Sequence, residues 1–86
     1  MMMTHPTVGP VVLWESDASL AEVQGLPGAA SASIGYGGIW VGTQGSYVAP
    51  GVYVSGPPPG WHEPRVLVSW TEAGWRSEFG TMPEAV

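Results

Sequence analysis

No apolar run in this chain goes far before a glycine or a proline closes it. Thirteen glycines and nine prolines separate short segments in which side chains alternate. Period-two alternation between tight turns is the pattern of antiparallel strands joined as hairpins, so the chain reads as all-β. In "AASASIGY", Ala30, Ala32, Ile34 and Tyr36 fall on one face, with Ser31, Ser33 and Gly35 on the other. Gly37–Gly38 is a two-residue hairpin signal, and "IWVGT" runs back from it. Gln44–Gly45 is the next turn candidate, before "SYVA", and Pro50–Gly51 precedes "VYVS". Three hairpins in a row predict a four-stranded meander. Pro-Gly favours a type II turn, which follows strand twist less well than the primed turns, so that register is the loosest.

With two-residue turns at those places, Gly35 lies opposite Trp40 and Gly42 opposite Tyr47. A large ring would then cover each glycine. One face carries Ile34, Tyr36, Ile39, Val41, Val48 and Tyr53, and the other Trp40, Tyr47, Val52 and Val54. Both are apolar, whereas a sheet open to water on one side shows a polar face. Something must cover the second face, either the rest of the chain or another subunit.

The flanking segments are read more coarsely. Residues 1–10 form an extended N-terminal arm, because Pro6 and Pro10 disfavour helix at and before themselves. Residues 11–79 form a single β domain, and 80–86 a C-terminal tail. Val11–Trp14 is a short strand. "SDASLAEVQGLPG" is the one helical signal, with Ser19 and Glu22 at capping-box spacing and Gly25 and Pro27 as a stop. "RVLVSWTEAGWRSEF" reads as a last hairpin that turns at Ala73–Gly74 and brings Trp70 and Trp75 into diagonal contact. The expected architecture is a small antiparallel meander forming a sandwich or partly open barrel of about six or seven short strands.

Composition narrows function. At 86 residues a chain buries only about 60% of its unfolded surface, and with no cysteine neither disulfides nor thiolate metal sites can support it. Two arginines, no lysine and seven carboxylates give a net charge of −5. Nucleic-acid backbones and anionic membrane surfaces both need clustered cations, so neither is an expected partner. "MMMTHPTVGPVVLW" has no basic segment, and its apolar run is too short for a signal peptide or a membrane span. Cytoplasmic synthesis is the expectation, with incorporation into a virion as one destination.

No catalytic constellation can be drawn. His62 and Glu63 are adjacent, and in an extended segment neighbours point to opposite sides. His5 lies in the arm. Two histidines at this spacing do not make a metal site, and the scattered carboxylates do not form a calcium loop. "GYGGIWVGTQG" lacks the dinucleotide and phosphate-loop spacings. No cofactor or metal is therefore expected. "VYVSGPPPGWHEPRV" is read as a stiff loop between strands that displays Trp61. The leading expectation is a non-enzymatic assembly protein, packing against copies of itself or a larger assembly, such as a capsid decoration or tail protein. Its interface would use Trp40, Tyr47, Val52, Val54, Pro58, Trp61 and His62. The alternatives are a small aromatic-surface module that binds carbohydrate or another ligand, and an acidic inhibitor of a basic partner protein.

Overall fold

The computed structural model describes residues 1–86. It is all-β in its framework, with eight strands in two antiparallel sheets and short helical pieces. The larger sheet holds β1 (Met2–His5), β2 (Gly9–Trp14), β6 (Val52–Ser55), β7 (Val68–Trp70) and β8 (Glu84–Ala85), in the order β7-β6-β2-β1-β8. The smaller sheet is a true meander of β3 (Ser33–Gly35), β4 (Gly38–Val41) and β5 (Gln44–Tyr47). The meander stops at three strands. Pro50–Gly51 does turn, with Val52 N–H donating to Ala49 O at 3.1 Å and Gly51 at φ 88, the glycine position of a type II turn. It sends the chain into the other sheet, where β6 pairs with β2 through Val12↔Val54.

Residues 1–10 are extended as expected, but they are built into the sheet and are not a free arm. β1 and the start of β2 form a hairpin (His5↔Gly9, Thr4↔Pro10), with Gly9 at φ 76 closing the loop. Pro10 is tolerated because β6 begins to pair with β2 only at Val11, so its missing N–H interrupts no ladder bond. The tail is also recruited, since Glu84 and Ala85 pair with Thr4 and Met3.

Residues 72–79 are the main departure from the sequence reading. They form helix α2 (Glu72–Phe79) where a strand was expected. Thr71 caps it by accepting from Gly74 N–H at 3.0 Å, and Gly80, at φ 77, closes it with its N–H on Arg76 O. Trp75 and Phe79 are four apart and so share one helical face, their rings 4.4 Å apart. Trp70 and Trp75 do meet, edge to face at 5.7 Å, but across a strand–helix junction.

This helix explains the two apolar faces of the central strands. Along β2, Val12 and Trp14 face a core shared with Ile39 of the small sheet, Val54, and Val23, Leu26, Ala29 and Ala32 of the intervening segment. Val11 faces the opposite way, into a second core with Met3, Trp70 and Trp75. The chain covers its second sheet face with its own C-terminal helix. The intervening segment is helical where expected, but briefly: a 3-10 turn (Asp17–Ser19) runs into α1 (Leu20–Val23). Ser16, not Ser19, supplies the cap, accepting from Ala18 N–H at 3.3 Å.

Candidate functional site

The outer face of the small sheet is nearly stripped of side chains. The registers Ser33↔Trp40, Gly35↔Gly38, Trp40↔Gly45 and Gly38↔Tyr47 put three glycines, one serine, Trp40 and Tyr47 on it. The turns fall one or two residues earlier than the sequence suggested, at Tyr36–Gly37 and Gly42–Thr43. Close approach decides this. A Cβ on Gly38 would overlap the Ser46 carbonyl, and one on Gly45 would come within 2.9 Å of the Trp40 ring. These two glycines are needed inside strands and are not free to serve as turns. The expected pairings both fail, since Gly35 lies opposite Gly38 and Gly42 is a turn residue at φ 61, but Trp40 does cover a glycine, Gly45 on the next strand, with Gly35 beside it.

Trp40 is fixed in place. Its indole N–H donates to Gly35 O, and Tyr36 stands against it edge-on, centroids 6.3 Å apart at 80°. Tyr36 is fully exposed and sits at φ 51. The left-handed region costs a bulky residue about 1 kcal/mol and is ordinarily given to glycine or asparagine. Tyr47, across the sheet, is 72% exposed. Tyr36, Trp40, Tyr47 and the glycine floor bound a shallow groove of about 430 Å3, with Arg65 at its side. A second depression, of about 270 Å3, shares Gly45, Ser46, Tyr47 and Arg65 with it and reaches Trp61 and Glu63. The two depressions adjoin along the four shared residues.

Arg65 is spent on structure. Its guanidinium donates to Gly45 O and, at 3.2 Å, to Leu67 O. Gln44 works alongside it, donating to Pro64 O and accepting from Val66 N–H, each at 2.9 Å. Together they fasten the 61–67 loop along the edge of β5. The Arg65 Nη1 makes no hydrogen bond and lies 3.9 Å from Glu63 Oε2, so the one cation of the groove has a carboxylate beside it.

The expected interface residues divide. Trp40 and Tyr47 come together in the groove. Val52 and Val54 are buried in the domain's own core and Pro58 is buried in its loop, so none of the three is available to a partner. The reason is that β6 belongs to the central sheet and is covered on both faces. Trp61 is not displayed by the loop. It folds back on Trp70 at 5.3 Å, and its indole N–H is buried without a partner, a cost of about 1–3 kcal/mol. His62 is exposed and, contrary to the extended-segment argument, does reach Glu63, at 3.4 Å, because the loop bends there. Tyr36 and Arg65 were missed. The signal for this face was a charge pattern: residues 23–61 contain no Asp, Glu, Lys or Arg.

His5 is buried between Trp75 and Phe79, both at 5.1 Å. Thr7 N–H donates to its Nδ1 at 3.2 Å, which puts the ring proton on Nε2. Nε2 lies 3.0 Å from Thr81 O and 2.9 Å from Thr81 Oγ1. A histidine that activates a hydroxyl needs a free lone pair at that nitrogen. Here Nε2 is the donor, so the pair is wired for packing and not for proton abstraction. No three His, Asp or Glu side chains converge as metal ligands, and no helix is long and apolar enough to cross a membrane. No family model, curated protein or solved structure matches this chain.

Proposed function

We propose that this chain is a non-enzymatic docking domain. It packs against a neighbouring macromolecular surface, copies of itself or a larger assembly, through the outer face of β3–β5. The observation that carries this reading is Tyr36, fully exposed yet held in a left-handed conformation where glycine or asparagine would be cheaper. A ring kept in solvent at such a cost serves contact better than it serves folding. Tyr47 and the fixed ring of Trp40 stand beside it on a face that carries no charge. Tyrosine set among serine and glycine is the composition of adaptable recognition surfaces. A virion shell or tail, where small domains sit among many neighbours, is a setting that suits such a domain.

Absolute mass by light scattering, over a concentration series, tests the proposal. The native chain is expected to form species larger than its 9.0 kDa monomer, alone or on its assembly partner. A Tyr36→Asn/Tyr47→Ala double variant is expected to stay folded and lose them. A mass curve that the double variant leaves unchanged removes this face from docking.

A further inference from the structure

From the aromatic groove on the small sheet we infer a binding site for a neutral oligosaccharide. The inference rests on the docking reading and names what that face touches.

Charge is the first selector. The groove's one ion is Arg65, 28% exposed, with Nε and Nη2 on the carbonyls of Leu67 and Gly45 and Nη1 3.9 Å from Glu63. A phosphate, sulfate or uronate would meet that single cation with the Glu63 carboxylate already beside it, on a chain of net charge −5. A cationic ligand would find only Glu63, in the outer depression and already facing Arg65 and His62. The ligand that fits this field is neutral.

Shape is the second. The Trp40 indole is a flat plate whose N–H is already satisfied by Gly35 O, so the ring offers its π surface without a competing polar demand. Tyr36 meets it at 80° and makes an aromatic corner. The C–H face of a pyranose is weakly positive and stacks on the negative face of such a ring. The glycine floor lets the ring lie close to the backbone. Thr43 lines the same groove, and the Tyr36, Thr43 and Tyr47 hydroxyls make no hydrogen bond within the chain, leaving them for sugar hydroxyls. An apolar ligand would have no use for them. The groove of about 430 Å3 lies in the ~300–1,000 Å3 range of small-ligand sites. The second depression shares four lining residues with it and gives a further sugar unit a place beside the first.

The test is titration of the full chain with neutral hexasaccharides of glucose, N-acetylglucosamine, mannose and xylose. Heparin-derived and polygalacturonate-derived hexasaccharides serve as anionic controls. Calorimetry and the assigned Trp40 indole N–H resonance read it. At least one neutral probe is expected to bind with a dissociation constant at or below about 1 mM, to shift the Trp40 resonance, and to lose binding in the Tyr36→Asn/Tyr47→Ala variant. Absence of neutral binding, tighter binding of the anionic probes, or neutral binding that the double variant keeps, each overturns the inference. If no sugar binds but the double variant still loses its larger species, the docking reading stands alone. If the double variant changes neither readout, both fall.

Discussion

Arg65 and Trp40 share a carbonyl-rich neighbourhood and use it in opposite ways. Trp40 locks itself to Gly35 O and keeps its ring in the groove. Arg65 gives its guanidinium to Gly45 O and Leu67 O and pins the 61–67 loop. A lysine could not replace it, because an ammonium cannot reach both carbonyls as a planar fork. Hydrogen bonds from a charged group contribute about 1.5–3 kcal/mol each when partly shielded, and partial exposure reduces that toward the lower end. Arg65→Met should keep the stem's packing but release the loop. The expected result is a loss of about 2 kcal/mol in denaturant unfolding, with faster amide exchange at Val66 and Gly45. Arg65→Lys should recover little of it. A methionine variant as stable as the native chain would mean that Gln44 alone holds the loop.

At the scale of elements, β1 is tied down at its start as well as along its length. The Met1 amine donates to Leu13 O at 2.9 Å, and lies 2.7 Å from Glu22 and 3.0 Å from Glu15. Desolvation pulls its pKa down. Hydrogen bonds to Glu22 and Glu15 and their negative charges outweigh that, so the pKa is raised above its ordinary 8.0. The unfolded amine keeps the ordinary value. The tie therefore contributes fully below pH 8.0 and is lost as pH rises through the higher folded value. The melting temperature of the chain with a free Met1 amine should fall between neutral pH and about pH 10. An Nα-acetylated chain should show less of that fall, and equal slopes would dismiss the tie. How legible these elements were follows from what each signal encodes. Alternation between glycine turns marked the small sheet, whereas β2, buried on both faces, reads as a continuous apolar run, and β1 and β8 were read only as arm and tail. Alternation misread residues 72–79, where Trp75 and Phe79 satisfy a four-residue spacing as well as a two-residue one. The deciding cues were Thr71 and Gly80 at the two ends. Turn positions slipped because glycine has two uses. At Gly37 it permits a left-handed turn, whereas at Gly38 and Gly45 it admits a neighbouring carbonyl or ring. Sequence spacing cannot separate the two without knowing what lies opposite. Trp40 and Tyr47 were legible as a pair, while Val52 and Val54 were assigned to an open face that the small sheet and the 23–32 segment in fact close.

At the scale of the whole molecule, charge is segregated. The net −5 is carried by residues before 23 and after 61, while the small sheet between them has none. The central sheet has cover on both faces, so the original argument for assembly, an uncovered second face, no longer drives it. What remains is a neutral aromatic face on an otherwise acidic body. Copies or partners that meet there avoid the like-charge contacts that other approaches would bring. Docking through this face should then depend weakly on salt. Between about 0.05 and 0.5 M, where screening lengths shrink from ~14 to ~4 Å, the affinity should change by less than about threefold. If anything it should rise as repulsion between the acidic bodies is screened. An acidic inhibitor of a basic partner would behave the other way, because long-range attraction supplies much of its encounter and grip. Light-scattering midpoints or calorimetric constants across that salt series separate the two. A steep loss of affinity with salt would move the working surface away from Tyr36, Trp40 and Tyr47 and onto the carboxylates of residues 15–22 and 63–84.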